Sequence, residues 1–490
     1  MFAGLLKFLG RGRTAAPPRG VVCGRAGLRP PGYSLRARYD AAATTEENRR
    51  HWANADGLSA DAAASPEVRR LLRNRARYEV ANNSYAKGIV LTLANDVIGT
   101  GPRLQMLTEV PEVNQRIECE FGRWAKTVRL AEKLRTLRMA RATDGEAFAI
   151  LGSNPKLPSA VKLDLRLIEA DQVTTPDLSI LDPYAIDGIV LDAWGNPVEY
   201  HVLKAHPGDT RVAAGLGLSY DRVPADAVIH YFRVDRPGQS RGIPDLTPAL
   251  PLFAQLRRYT LAVLGAAETA ADFAGILYTD APPDGQTESV EPLDAIELEA
   301  RSLLTMPGGW KMSQVQAEQP STTYSEFKKE LLNEIARCLN MPFNVAAANS
   351  SAYNYASGRM DHQTYFKSIR VEQDHIADVV LDRILRAWIG EAVLIEGLLP
   401  QPARLRDAEF PHQWFWDGHE HVDPAKEATA QAVRLASHTT TLAAEYARVG
   451  RDWESELRQR AKEAALMAEL GLTPQQLQPI GKEAGDDEDE

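Results

Sequence analysis

The chain has 490 residues, 44% of them hydrophobic and 25% charged, with a formal net charge of −10, so it is an ordinary folded chain too long for one small core. Its three cysteines, Cys23, Cys119 and Cys338, are far apart and form no CxxC pair, which suggests a reducing compartment and no disulfide framework. No apolar run approaches the roughly 20 residues that span a bilayer, and Lys7 interrupts the short apolar start, so neither an export signal nor a membrane anchor is expected.

Lys7, Arg11, Arg13, Arg19, Arg25, Arg29, Arg36 and Arg38, mixed with Gly and Pro, make residues 1–60 a basic arm, and Gly485–Glu490 closes an acidic tail over 476–490. Both charge runs read as solvated tails, with contact to a partner protein or nucleic acid as the sharper alternative for the arm. Tyr78, Ala81, Tyr85, Ile89, Leu93 and Val97 recur at helical spacing, which predicts one amphipathic helix ended by Gly99-Thr100-Gly101-Pro102. Val113, Ile117, Phe121 and Trp124 mark a second helix and Leu130, Leu134 and Leu137 a third. The period then changes to two: Val161 to Leu167 is a half-buried strand, Ile189 to Val202 a hairpin turning at Gly195-Asn196-Pro197, and Val228 to Phe232 a further strand. Helices beside a mostly antiparallel sheet define an α+β region.

Pro244-Asp245 opens a long helix through Phe273, rich in alanine at 262, 266, 267, 270 and 271. Close helix packing and ordinary burial explain that composition equally well. Residues 274–321 read as short strand-like pieces around an acidic stretch. The capping box Thr323–Glu326 then starts a helix with Phe327, Leu331, Ile335 and Cys338 as its buried stripe. Met341 to Gly358 holds no charged residue and is rich in Asn, Ser, Ala and Tyr, a composition that makes no good core. From Arg359 to about Ile389 a helix is expected, with Phe366, Ile369, Ile376, Val380, Ile384 and Trp388 on one face. After Pro400 comes HQWFWDGHEH, whose Trp414 and Trp416 read as packing anchors. Two helices follow, started by Asp423-Pro424 and punctuated by Gly450 and Gly471.

Three blocks carry a resemblance: YEVANNSYAKGIVLTLANDVIGTGPRLQ (Tyr78 to Gln105), the stretch from Arg236 to Leu277 that opens RPGQSRGIPDLTP, and NEIARCLNMPFNVAAANSSAYNYASGRMDHQTYF (Asn333 to Phe366). In this order they resemble the portal proteins of tailed bacteriophages, in the lambda-like family. The resemblance implies an α+β portal fold assembled as a ring, with an outer wing over 61–244 and a first stem helix over 245–273. It further implies a small β-containing clip over 274–321, a second stem helix over 322–340 and a tunnel loop over 341–358. A long wing helix over 359–400 and a helical crown over 401–475 complete it. The implied protein is a homo-dodecamer at one vertex of a phage head, through which double-stranded DNA is packaged and ejected. Its implied partners are the terminase large subunit, head-completion or connector proteins, and the major capsid or scaffold protein. It would reside in the virion, and in the host cytoplasm during assembly, with no membrane and no cofactor.

The tunnel-loop assignment makes Asn344, Asn349, Ser350, Ser351, Tyr353, Asn354 and Tyr355 candidates to line a DNA channel, with an exposed surface loop as the alternative. Uncharged polar groups guide a duplex without the salt-dependent grip that each Lys or Arg on a phosphate adds. Lys328 and Lys329 are either a solvated helix surface or, repeated around a ring, a cationic belt. Three other readings compete. Gly238-Gln239-Ser240-Arg241-Gly242 fits G-x-S-x-G, but Arg233 to Pro237 separates it from the preceding strand and no oxyanion-hole motif is evident, so no catalytic residue is expected. A DNA-gripping module is disfavoured by the acidic balance. His412, His419 and His421 lack the partners of a closed metal site. With no G-x-x-x-x-G-K-[ST] loop in the chain, packaging energy would come from a separate ATPase.

Overall fold

The computed structural model describes residues 45–175, 184–210, 219–272, 276–279, 310–313, 322–351, 353–399, 410–418 and 424–472. The basic arm up to residue 44, most of the expected clip, His419, His421 and the acidic tail lie outside the described residues. The described residues 45–58 belong to a first unit, in which the rings of His51 and Trp52 meet edge to face at 4.5 Å. The second unit begins at Ser59.

A short helix α1 (Ala60–Ala63) leads into α2 (Pro66–Asn82), capped by the Ser65 hydroxyl with proline in the first turn. The sequence predicts one helix through Tyr78 and Ile98, but the structure breaks it. Asn83 is extended, and its side-chain oxygen accepts the amides of Tyr85 and Ala86, starting α3 (Ser84–Ile98) anew. The break turns the buried faces out of register. α3 buries Ile89, Leu93 and Val97 as expected, whereas Tyr78 is 55% exposed because α2 buries Arg69, Arg73, Ala76 and Glu79 instead. Gly99 ends α3 at φ 55°, and a side chain there would stand 2.2 Å from a carboxylate oxygen of Asp417.

After β1 (Arg103–Met106) come α4 (Pro111–Thr127) and α5 (Leu130–Asp144), both built on the expected apolar spacing. Trp124 is buried with its indole N–H on the Leu163 carbonyl at 2.8 Å, and Phe121 packs against the rings of Trp124, Trp388 and Trp414. Strands β2 (Glu146–Ser153) and β3 (Leu163–Ile168) form an antiparallel pair. Next come β4 (Ala185–Ile186), β5 (Ile189–Leu191), β6 (Pro197–Leu203), β7 (Tyr220–Pro224) and β8 (Val228–Phe232). They make two antiparallel sheets, ordered β3-β2-β8 and β4-β5-β6-β7. Alternation along β2 divides the interior. Ala147 and Ala149 face the main helical core, and Phe148 faces a second core with Ile189, Tyr200, Val202 and Val228.

The long helix α6 (Leu250–Asp272) begins later than expected, after a 3₁₀ turn at Thr247–Ala249. Its first half buries Phe253 and Leu256, while Leu261 and Leu264 are exposed. Strands β9 (Ile276–Thr279) and β10 (Trp310–Ser313) pair antiparallel. On α7 (Thr322–Arg337) the buried residues are Leu331, Leu332, Ile335 and Ala336. The expected stripe is wrong at Phe327, which is 51% exposed because the helix there has left the main core and meets the ring of Tyr259.

The stretch read as unable to build a core also differs. Met341, Phe343 and Ala346 are buried in the main core, the last two on a short helix α8 (Phe343–Ala347), because three apolar residues suffice when the cavity around them comes from other elements. The next helix starts earlier than expected, as α9 (Tyr355–Ile376), and runs through a π-helical turn at Ala377–Leu381 into α10 (Asp382–Ala392). Ile369, Ile376, Val380, Ile384 and Trp388 are buried as the spacing predicts. Strand β11 (His412–Phe415) returns to pair with β1, Leu104 opposite Trp414. Three carboxy-terminal helices follow rather than two: α11 (Pro424–Ala436), α12 (Leu442–Arg448) and α13 (Trp453–Glu469). The extra break lies where His438 turns left-handed at φ 57° and Thr441 caps the next helix.

Candidate functional site

The sheets and the long helix are joined by buried ion pairs. Arg69, Arg73 and Arg77 recur every four residues on α2, facing one side. Glu146, fully buried at the start of β2, accepts from Nε and Nη2 of Arg241, from the Gly242 amide at 3.0 Å, and pairs with His230 at 3.1 Å. Arg73 lies 3.6 Å away, and Arg69 and Arg241 both reach Asp187. Asp187 and Gly188 have φ 41° and 86°, the left-handed pair of a tight β4–β5 hairpin turn, so the cluster anchors that hairpin at its tip. Burial by itself would raise the Glu146 carboxyl, but Arg241 and His230 offset this and hold it well below the usual carboxylate range. His230 is stacked on Phe148 and Phe232, and burial lowers its proton affinity.

A second cluster clamps α9. Glu372 takes the Tyr231 hydroxyl and the Arg141 guanidinium, which lies 4.9 Å over the Tyr231 ring. Beside it, Arg138 and Arg233 hold Asp245 at 3.2 and 3.1 Å. The Gln373 amide donates to the Val97 carbonyl, His375 meets the Phe232 carbonyl, and the Tyr365 hydroxyl donates to Asp96. The carboxy-terminal half of α9 is therefore tied to α3, α5 and β8. Its first turns follow the uncharged loop, and His362 there engages Asn344 of α8. The regular recurrence of arginine on α2 was the available signal for the first cluster, and a reading that sends charge to the surface passes over it.

The channel candidates do not form one surface within a single chain. Asn344 is buried, and its amide engages His362 at 2.8 Å. Asn349, Ser350, Ser351 and Asn354 are exposed and Tyr353 is half-buried. The Asn349 side chain accepts the Ser351 amide, and Asn354 caps α9 through the Ser357 amide. Tyr355 opens α9, and its side chain lies outside the described residues. Lys329 is exposed, its ammonium 5.6 Å from the Phe343 ring, beside a groove of about 320 Å³ that it shares with Asn333, Tyr353, Ser357 and Asp361. Lys328 turns inward between the rings of Tyr85 and Tyr324.

The G-x-S-x-G segment has a structural explanation. Strand β8 ends at Phe232 and α6 starts at Leu250, so no strand-to-helix elbow exists, and Asp61 accepts both the amide and the hydroxyl of Ser240. A side chain on Gly242 would stand 2.1 Å from the Gly145 carbonyl oxygen, so backbone approach requires that glycine. His412 pairs with Asp382 and the Phe410 carbonyl. Glu169, Asp171 and His206 come together, but Arg73 and Arg77 hold Asp171, and His206 Nδ1 accepts the Gly208 amide, which leaves the ring proton on Nε2 facing the carboxylates. That arrangement does not fit a cation.

The helices and antiparallel sheets are thus locked together by buried ion pairs in one mixed architecture. The family described as phage portal protein, lambda family, matches residues 46–373. The chain belongs to this family, a structural class of protein. A probable portal protein of Halomonas phage phiHAP-1 is 26% identical over 438 residues, covering 84% of this chain and 82% of the relative. Among solved structures, a chain from the virion of a native gene transfer agent particle aligns with a TM-score of 0.47 and 14% identity, covering 77% of this chain and 92% of that one. A chain from the neck of the native particle, computed with C12 symmetry, gives 0.45 and 14%, covering 79% and 94%. No helix among the described residues is long and apolar enough to cross a membrane.

Proposed function

We propose that the chain assembles head to tail into a closed ring, twelve subunits in the phage head, and that duplex DNA passes through its bore. A heterologous contact whose rotation closes generates such a ring. The observation that carries the channel reading is the uncharged loop exposed at Asn349, Ser350, Ser351 and Asn354, which leads into a helix whose other half is clamped into the scaffold. Repeated around a ring, such loops offer polar contact without phosphate-binding charge, which would slow translocation. Lys329 is the cationic candidate beside the loop, and Lys328, turned against two aromatic rings, contributes through packing.

In this reading β1 to β8 with their helices form the wing, α6 and α7 the stem, and the segment from β9 to β10 the clip that receives the terminase motor and later the connector proteins. The helices after β11 form the crown, within a virion head built from capsid or scaffold protein. Deleting Asn349 to Tyr355 tests the channel role. Rings of normal mass with impaired DNA packaging or retention are expected, and a normal yield of packaged genomes overturns it.

A further inference from the structure

Helix α6 separates two neighbours. Arg257 donates to the Tyr78 hydroxyl of α2 at 3.3 Å, and its guanidinium lies 5.8 Å from that ring. Two residues on, Tyr259 meets the rings of Tyr324 and Phe327 of α7 at 5.4 and 5.0 Å. Side chains two apart on a helix point about 200° from each other, so α2 and α7 pack on opposite sides of α6. The three helices make a layer with an α2 edge and an α7 edge, and each edge leaves apolar side chains uncovered.

At the α2 edge, Leu71 lies two turns before Tyr78 on the same face and is 50% exposed. Leu261, one turn beyond Arg257 on that side of α6, is 59% exposed. Arg70 and Arg75 flank Leu71 and are exposed, with the exposed carboxylate of Glu67 beside them. At the α7 edge, Phe327 is 51% exposed beside a groove of about 400 Å³ that it lines with Leu331 and Asn333. Glu326, Glu330 and Glu334 recur every fourth residue along this edge and are exposed, and the last two line the groove. The exposed cations of α7 are Lys329 and Arg337.

One edge thus presents leucine among arginines, and the other presents phenylalanine among glutamates. Two different surfaces that complement each other are what a head-to-tail contact joins, whereas a foreign partner needs to match only one of them. We propose that the α2 edge of one copy seats on the α7 edge of a second copy, with Leu71 entering the groove beside Phe327 and with Arg70 and Arg75 facing the glutamate row. This rests on the ring proposed for the chain and names the surfaces that close it.

Charge reversal in the full-length protein tests this, with native mass recorded at matched salt and concentration. Arg70→Glu with Arg75→Glu gives a chain that is acidic at both edges, and Glu330→Arg with Glu334→Arg gives one that is basic at both. Each alone should need a concentration about tenfold or more above wild type to form rings, because like charges then meet at every contact. Mixed in equal amounts, the two should restore rings in which the chains alternate, a result that only folded chains can give. Rings from both variants alone at the wild-type concentration, or a mixture of folded variants that forms none, overturn the choice of surfaces. Should a double variant fail to fold, seen by circular dichroism, Arg75→Glu and Glu330→Arg are mixed instead, and the same outcomes decide. A wild-type chain that forms no ring overturns the ring reading and this contact together, whereas wild-type rings that tolerate both reversals overturn the contact alone.

Discussion

Glu146 shows how a single residue can hold several elements in place. Its carboxylate sits at the start of β2, and its partners come from the loop after β8, from β8 itself and from α2. Removing one member of a buried ion pair leaves the others charged and unpaired, at a cost of about 3–5 kcal/mol. Glu146→Gln should therefore lower stability by about that amount, read from chemical denaturation, and should do so with little change in the exposed loop at residues 348–354. Because the Glu146 carboxyl lies below its unfolded value, its contribution is present above about pH 4.5 and is lost as pH falls through the depressed folded value. The wild-type protein should thus lose stability in acid faster than the variant does. Gly242 belongs to the same constellation. It looked like half of a nucleophile elbow in the sequence, yet only the neighbouring Gly145 backbone explains it, and that neighbour is distant in the chain.

At the scale of elements, the break between α2 and α3 decides which faces point inward. Asn83 supplies the cap that restarts the helix, so Asn83→Ala should cost about 1 kcal/mol in thermal or chemical unfolding. Asn82 bonds only to the exposed Tyr78 carbonyl, and Asn82→Ala should stay within about 0.5 kcal/mol. Equal losses in the two variants would remove the cap from the explanation. The spacing of α4, α5, β8 and the α9 to α10 helix was legible because an apolar stripe of regular period has one way to be buried. The cap at Asn83, the exposed Phe327 and the buried Phe343 were not, since each depends on where a neighbouring element ends. The same holds for the clamp on α9. Tyr231, Arg141 and Glu372 are spread along the chain, and nothing local pairs them.

For the whole molecule, the exposed apolar residues Leu261 and Leu264 on α6 and Phe327 on α7 lie on the helices assigned to the stem, where neighbouring subunits of a ring would pack. Electron microscopy of the purified protein, with native mass determined on the same sample, should find rings with a central hole. A stable monomer across varied salt and concentration would count against the ring. Membership of the portal family was written in three ordered sequence blocks, and so were the mixed helix and strand content and most of the buried helix faces. These are properties of local pattern, set by propensity and period. Tertiary structure alone decided that α2 carries Arg69 and Arg73 into the interior, that Asp187 at a hairpin tip meets Arg69 and Arg241, and that Asn344 is buried while Asn349, Ser350, Ser351 and Asn354 are exposed. A charged or polar side chain is placed inside only when partners distant in sequence converge on it, and that convergence is a property of the folded chain.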